Sequence, residues 1–419
     1  MSATAPDVDS IDLSDLDWWT RPLDEREAAF AALRAERPLA PMKLEALPHL
    51  GFPETPYWSV TRYADIVEAS RHPELFCSGQ GTNIADLPQE FLEFFGSMIN
   101  MDDPRHARLR RIVSRAFTPR MIQKFEGDVQ RVAAAIVDDL LATGPCDFVE
   151  HVAARLPLTI ICQLMGIPDS SYGLVLHDTN TILSGMDPDL ISEDLDEAVG
   201  QILAAGAELA DLVTGLAAER AGRPGDDLVS ALVTANIDGE HLTSAELASF
   251  FILLVVAGNE TTRNAISHSL TLLTDFPDQR ELLMADFDGR IGAAVEELVR
   301  YSSPVIFMRR TVTRDHHMNG HDYREGDKTV LYYWSANQDE TVFADPARLD
   351  ITRSPNPHVG FGAAGPHFCL GAHLARREIT VMLRELLTRI PDIRAAGPPD
   401  RLLSSFINGV MHLPCTFGG

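Results

Sequence analysis

The segment from Pro357 to Arg377 reads PHVGFGAAGPHFCLGAHLARR and sets a cysteine in a run of small residues, directly ahead of a stretch of helical composition. Gly360, Gly362, Gly365 and Gly371, with Ala363 and Ala364, let backbone approach a neighbour closely and supply positive-φ positions that side chains resist. Such a loop is expected to lie against something bulky. Cys369 falls where the loop enters the Ala/Leu/Arg-rich segment from Leu370 to Arg389, so its sulfur is expected to feel a helix dipole and free amide donors. That environment favours thiolate over thiol.

A thiolate held by amide donors, with no second cysteine nearby, suits an axial haem ligand better than a zinc site or a disulfide. A lone cysteine more often packs as a small hydrophobe, and the surrounding pattern argues against that here. Phe361, Gly365, His367, Cys369 and Gly371 resemble the haem-binding signature of the cytochrome P450 family. One departure is visible: the phenylalanine lies eight residues before the cysteine, where the common form has seven. The longer loop is expected to alter how Phe361 shields the sulfur.

The chain has 419 residues, no Ser/Gly/Pro-rich linker and no internal repeat, so a single large domain, 1–419, is expected. Its first twenty residues are acidic, lack the basic-then-apolar order of a signal peptide, and are expected to be a loosely ordered leader. Five scattered cysteines without CxxC spacing point to a reducing cytoplasm rather than a disulfide framework. The longest uninterrupted apolar run, Phe250 to Ala257, is far short of the roughly 20 residues that span a bilayer, so no membrane span is expected. A net charge of −26 argues against a nucleic-acid partner. Against that acidity, Arg105, Arg108, Arg110, Arg111, Arg115, Arg120 and Lys124 follow one another with no acid between them, a surface suited to an acidic protein.

Helices are expected over Arg26 to Arg37, Ala64 to Ser70, Met101 to Phe117, Met121 to Thr143, Leu156 to Met165, Leu195 to Ala221 and Ile291 to Tyr301, and a strand over Pro56 to Thr61. Arg309 to Arg314, Tyr323 to Lys328 and Thr329 to Tyr333 read as hairpin strands, and Ser171 to Ser192 as a mobile lid. His106 and Arg110 are four apart and share a helix face.

Thr243 to Phe276 is the second organising stretch. Thr243 and Glu246 form a capping-box pattern ahead of an apolar run that marks a buried helix. In its middle stand Gly258, Asn259, Glu260, Thr261 and Thr262, costly in a buried helix unless they have a task. Ala257 and Gly258 are expected to let the helix open. Ala-Gly-Asn-Glu-Thr-Thr resembles the oxygen-activating motif of the P450 family, in which an acid and an alcohol feed protons.

The resemblance runs from about Trp58 to Pro414. It implies a mainly α architecture, a large helical domain with a small β region, with haem b between the long central helix and the cysteine-loop helix. It implies Cys369 as the iron ligand, Glu260 and Thr261 as the proton relay, and His106, Arg110, Arg310 and His367 on the haem propionates, with Arg309 as the alternative to Arg310. Phe361 and Gly371 belong to the cofactor loop. Glu297, Arg300 and Arg348 are the expected Glu-Arg-Arg core network. Met98, Ile99, Leu253, Val256, Ala257, Val305, Ile306 and Phe406 are the expected apolar pocket wall.

The implied activity is a monooxygenase drawing electrons from an acidic ferredoxin and its NAD(P)H-dependent reductase. The stretches GSMINMDDPRH, SFFILLVVAGNETTRNAISH and SPVIFMRRT resemble actinobacterial hydroxylases of methyl-branched lipids and sterol side chains. Two other classes share part of the pattern. A haem-thiolate sensor needs no acid–alcohol pair, and a peroxide-driven peroxygenase usually lacks the relay. The expected docking residues are Arg108, Arg111 and Arg115, with Arg376 or Arg377.

Overall fold

The structure, a computed structural model, describes residues 7–46, 53–116, 119–183, 190, 192, 194–235 and 241–418, without the side chains of 119–124 and 195. Its helices are α1 Leu23–Glu36, α2 Tyr63–Arg71, α3 Gln89–Gly96, α4 Arg105–Ala116, α5 Pro119–Thr143, α6 Arg155–Met165, α7 Tyr172–Ile182, α8 Leu195–Gly222, α9 Leu228–Thr234, α10 Ser244–Asp275, α11 Pro277–Ala285, α12 Phe287–Ser302, α13 Tyr333–Ala336 and α14 Ala372–Arg389. The strands that form the main sheet are β1 Leu39–Leu44, β2 Thr55–Val60, β3 Phe76–Cys77, β4 Phe307–Val312 and β7 Lys328–Tyr332, with a separate hairpin of β5 His316–Met318 and β6 His321–Tyr323. The mainly helical architecture with a small β region is the expected one.

Helix α10 is the axis. Its start is fixed by a complete capping box: Thr243 Oγ1 accepts from the Glu246 amide at 3.1 Å and Glu246 Oε2 accepts from the Thr243 amide at 2.9 Å. It packs against α3, α6, α7, α8, α12 and α14. Its first half, from Leu247 to Val256, joins one apolar core with α4, α6, α8 and α9. Its last part, from Ala265 to Leu273, joins a second core with α5, α6, α12 and α14. The polar stretch from Asn259 to Asn264 lies at the divide between the two.

The main sheet has the order β1-β2-β7-β4-β3, with β2 and β7 parallel and the other pairs antiparallel. β4 and β7 are neighbours as expected, but Tyr323 to Lys328 is not a strand. Only Tyr323 belongs to β6. Beyond it, Arg324 N donates to Asp327 Oδ2 at 2.8 Å and Gly326 takes φ +88°, which makes a turn.

The acidic leader is also a correction. From residue 7 onward it is folded down: Ile11, Leu13, Trp18 and Trp19 are buried, Trp19 Nε1 donates to the Leu13 carbonyl at 3.0 Å, and both indoles pack on Phe30 of α1. Two adjacent tryptophans contribute enough apolar area to hold an otherwise polar segment. The expected lid begins as a regular helix, α7, with Val175, Asp178, Thr179 and Thr181 buried, and residues 184–189, 191 and 193 lie outside the described residues. By length and mean hydropathy α8 and α10 could each cross a membrane, which the uninterrupted-run criterion missed; α10, however, is buried in the core.

Candidate active site

A backbone bond from Cys369 N to the Phe361 carbonyl at 2.9 Å closes the cysteine loop, with Phe368 N to the Gly365 carbonyl at 3.2 Å inside it. Gly362 takes φ +82°, and a Cβ on Gly365 would lie 2.3 Å from the Ser70 carbonyl of α2. At Gly365, therefore, the packing of α2 by itself requires glycine. Phe361 is half-buried under the guanidinium of Arg376, whose centre lies 4.2 Å from the ring. α14 begins at Ala372, three residues beyond the cysteine, with Gly371 as its N-cap.

Cys369 is exposed yet closely surrounded by protein, and burial pushes its thiol up from the ordinary value. The amides of Gly371 and Ala372, with Arg110 and Arg376, work in the opposite direction. The amide donors are where the sequence places them, and they oppose the effect of burial on the free thiol.

At the cysteine loop four basic side chains from three parts of the chain converge. His106 of α4 is buried and its ring centre lies 4.4 Å from that of His367. His367 is pushed down to about 2, first by burial and then by Arg310, His106 and Arg110. His106 is lowered by burial and Arg110, with Asp103 opposing. Arg110 Nη2 donates to the Phe368 carbonyl at 2.7 Å, and Arg310 and His367 line a common cavity with Phe76, Tyr333, Ala363 and Gly365. Arg309 turns away, toward the carbonyls of Gly81 and Ile84 and toward Asp86, so it is not the alternative.

His106 Nε2 is buried without a partner. Two imidazoles in contact, one depressing the other, two guanidiniums and an orphaned ring nitrogen, in and around the cysteine loop, fit a planar group with a soft metal centre and anionic arms. These residues fit haem.

On α10 the helix runs unbroken through Ala257 and Gly258, so the expected opening is absent. Thr261 Oγ1 instead donates to the Ala257 carbonyl at 2.8 Å, one turn back. Glu260 is 1% exposed, and its Oε1 accepts from Arg263 Nη2 and, at 3.0 Å, from Asn264 Nδ2. Arg263 and Asn264 were missed by sequence reasoning, although Glu-x-x-Arg spacing was readable in the quoted stretch.

Glu297 of α12 binds Arg300 at 2.8 Å through both Nε and Nη2. The third member is not Arg348, whose side chain is 64% exposed and lies 4.0 Å from Asp278. It is Arg353, whose Nε reaches both Glu297 oxygens at 3.2 and 3.1 Å. Arg348 contributes its backbone carbonyl, accepting from Arg353 Nη2 at 3.2 Å. A turn through Asp350 exchanges the two arginines, which linear spacing cannot show.

Of the expected pocket residues, Met98, Ile99, Leu253, Val256 and Ala257 share one apolar cluster. Val305 packs on another. Ile306, 2% exposed, is buried with Trp18, Phe30 and Tyr332, and Phe406 leans on the same group. The basic stretch is also largely committed: Arg105 pairs with Glu93, Arg108 with Glu246 at 2.7 Å and Arg376 with Glu296. Arg111 and Arg115 are exposed on α4, while Arg120 and Lys124 lie outside the residues whose side chains are described.

A cysteine loop, a four-base cluster and an acid–alcohol pair on a buried central helix define a haem-thiolate monooxygenase, and the chain belongs to the cytochrome P450 family. The Cytochrome P450 family model matches residues 216–390. Among individual proteins, the chain is 48% identical over 414 residues to the methyl-branched lipid omega-hydroxylase of Mycobacterium tuberculosis, covering 98% of this chain and 95% of that protein. It is 39% identical over 374 residues to the steroid C26-monooxygenase of Mycolicibacterium smegmatis, covering 88% and 85%. A Mycobacterium marinum cytochrome P450 solved in complex with pseudoionone superposes with a TM-score of 0.91 at 45% identity, covering all of both chains.

Proposed function

We propose that this chain, acting as one catalytic domain, hydroxylates the terminal carbon of an apolar, methyl-branched chain such as a branched lipid, an isoprenoid or a sterol side chain. Haem b held by Cys369 supplies the redox chemistry by which one atom of dioxygen enters a C–H bond. The observation that carries the reading is the convergence of Arg110, Arg310, His106 and His367, two guanidiniums and two imidazoles from three separate parts of the chain, at the cysteine loop. Arg110 and Arg310 neutralise the propionates, His106 and His367 are placed to donate hydrogen bonds to them, and Thr261 and Glu260 handle protons from an otherwise apolar helix. Met98, Ile99, Leu253, Val256 and Ala257 exclude water and receive the hydrocarbon. The terminal-carbon chemistry is that for which the two hydroxylase relatives are named.

Electrons come from an acidic ferredoxin, itself reduced by an NAD(P)H-dependent reductase, which meets the face of α4 that exposes Arg111 and Arg115. The decisive experiment titrates the haem-loaded protein with methyl-branched fatty acids, isoprenoids and sterols, follows the Soret band, and locates the hydroxyl in the product. Oxidation at the terminal methyl is expected, and oxidation confined to internal or ring carbons overturns the substrate assignment. Cys369→Ser is expected to abolish the red-shifted Soret band of the ferrous-carbonyl complex; an unchanged band with haem bound removes Cys369 as the ligand.

A further inference from the structure

The acid on α10 is tied to a second helix by an arrangement that proton handling alone does not require. Glu260 directs Oε1 into Arg263 Nη2 and Asn264 Nδ2 of its own helix. Arg263 turns its other arm, Nη1, to Asn180 Oδ1 at 3.0 Å. Asn180 belongs to α7, two residues before that helix ends at Ile182. Alongside, Asn259 Nδ2 reaches Thr179 Oγ1 of the same helix at 3.3 Å.

Glu260 Oε2, Arg263 Nε and Asn259 Oδ1 in this seam are buried without hydrogen-bond partners. Contacts that served only to fasten α7 to α10 would satisfy these atoms, because a buried polar group left alone costs stability. The guanidinium is flat and forked, so fixing one arm fixes the plane of the other.

We propose that Arg263 is a positioning residue for proton delivery. It holds Oε1 of Glu260, leaves Oε2 as the oxygen that takes and releases a proton, and through Asn180 makes the orientation of the carboxyl depend on how α7 is seated. The inference rests on Glu260 and Thr261 being the proton-handling pair. With α7 seated, Nη1 is occupied and Glu260 keeps one orientation. When α7 shifts, the fork loses its anchor and the carboxyl turns. The enzyme thus acquires a link between the seating of α7 and the timing of proton supply.

The test uses the full haem-loaded chain with ferredoxin and reductase, and reads product formed per NADPH and the solvent isotope effect on turnover. Asn180→Ala spares the buried ion pair and is the primary variant, since replacing Arg263 would strand Glu260 and threaten folding. It is expected to lower product per NADPH severalfold and to raise the solvent isotope effect, with haem content and the Soret response to substrate unchanged. Asn180→Asp, which keeps the acceptor, is expected to restore coupling. In a Glu260→Gln background Asn180→Ala is expected to add nothing.

Wild-type coupling in Asn180→Ala, measured beside an uncoupled Thr261→Ala, overturns the role of Arg263 while leaving the relay intact. A full Asn180→Ala effect in the Glu260→Gln background also overturns it, since the effect then bypasses Glu260. If Thr261→Ala and Glu260→Gln themselves keep wild-type coupling, the relay reading fails and the inference falls with it.

Discussion

Two buried Glu-x-x-Arg pairs with the same spacing, Glu297–Arg300 on α12 and Glu260–Arg263 on α10, behave oppositely. Around Glu297 every charge is answered: Arg300, Arg353, Asn356 Nδ2 at 3.1 Å and the Asp350 amide at 2.9 Å all donate to it. Arg300 also gives Nη1 to the Asn337 carbonyl at 2.7 Å, and both guanidiniums lie near the Phe343 ring. In the Glu297 network Asn356 Oδ1 is without a partner but no charged side-chain atom of Glu297, Arg300 or Arg353 is, whereas Glu260 Oε2 and Arg263 Nε are. A fully satisfied buried network rigidifies its surroundings, and a partly satisfied one retains freedom at a cost in stability. Glu297 thus ties α12 to the segment from Asp350 to Asn356, while Glu260, in the role proposed for it, needs a carboxyl with one oxygen left unclaimed.

The strongest way to break this contrast is Glu297→Ala, which leaves two buried guanidiniums without their carboxylate. It is expected to cost about 3–5 kcal/mol, read as a lower urea midpoint and loss of haem. A shift under about 1 kcal/mol would make the two pairs equivalent. Arg353→Ala is expected to cost about 2 kcal/mol and Arg348→Ala less than about 0.5 kcal/mol, since only the first donates to Glu297. The reverse order in urea unfolding would restore Arg348 to the network.

Glu260→Gln is expected to change stability by about 1 kcal/mol or less, with a severalfold loss of product per NADPH and a matching gain in peroxide. Unchanged product yield would make Glu260 a structural residue like Glu297.

A smaller effect tests the seam's neighbourhood by pH. Burial, then Glu208, push Asp178 of α7 up to about 6, with His177 opposing. Because the native state then holds its proton more tightly than the unfolded chain, its stability contribution is present below the unfolded value and is lost as pH rises through about 6. Asp178→Asn is expected to gain about 1 kcal/mol on the wild type between pH 4.5 and pH 8, measured by thermal melts at both. No pH dependence in the difference would remove the burial of a charge as its cause.

The helices were legible wherever a local signal was complete. Thr243 and Glu246 sit three apart and do form the capping box, and the apolar run beyond them is buried on nearly every face. Asp102, Asp103 and Pro104 do open α4, with Asp103 Oδ1 accepting from the Ala107 amide at 3.0 Å. The leader was misread because its low overall hydropathy hides Trp18 and Trp19, whose burial depends on where Phe30 and Trp334 stand. Arg309 and Arg310 could not be told apart in sequence, since neighbours in a strand point to opposite faces and only the pairing of β4 with β7 decides which is which.

By itself the sequence determined the chemistry-bearing types and their order: a cysteine in a small-residue loop before a helix, an acid beside an alcohol inside an apolar helix, and histidine and arginine four apart on a third. Those are properties of spacing along one element, which 3.6-residue periodicity and end effects make readable. Which charges meet was decided only by the tertiary structure. Arg353 replaces Arg348 at Glu297, Glu246 and Glu296 claim Arg108 and Arg376, and Asn180 anchors Arg263 across 83 residues. Partner choice between long side chains depends on distances of a few ångströms between separate elements, and nothing in a linear pattern encodes those distances.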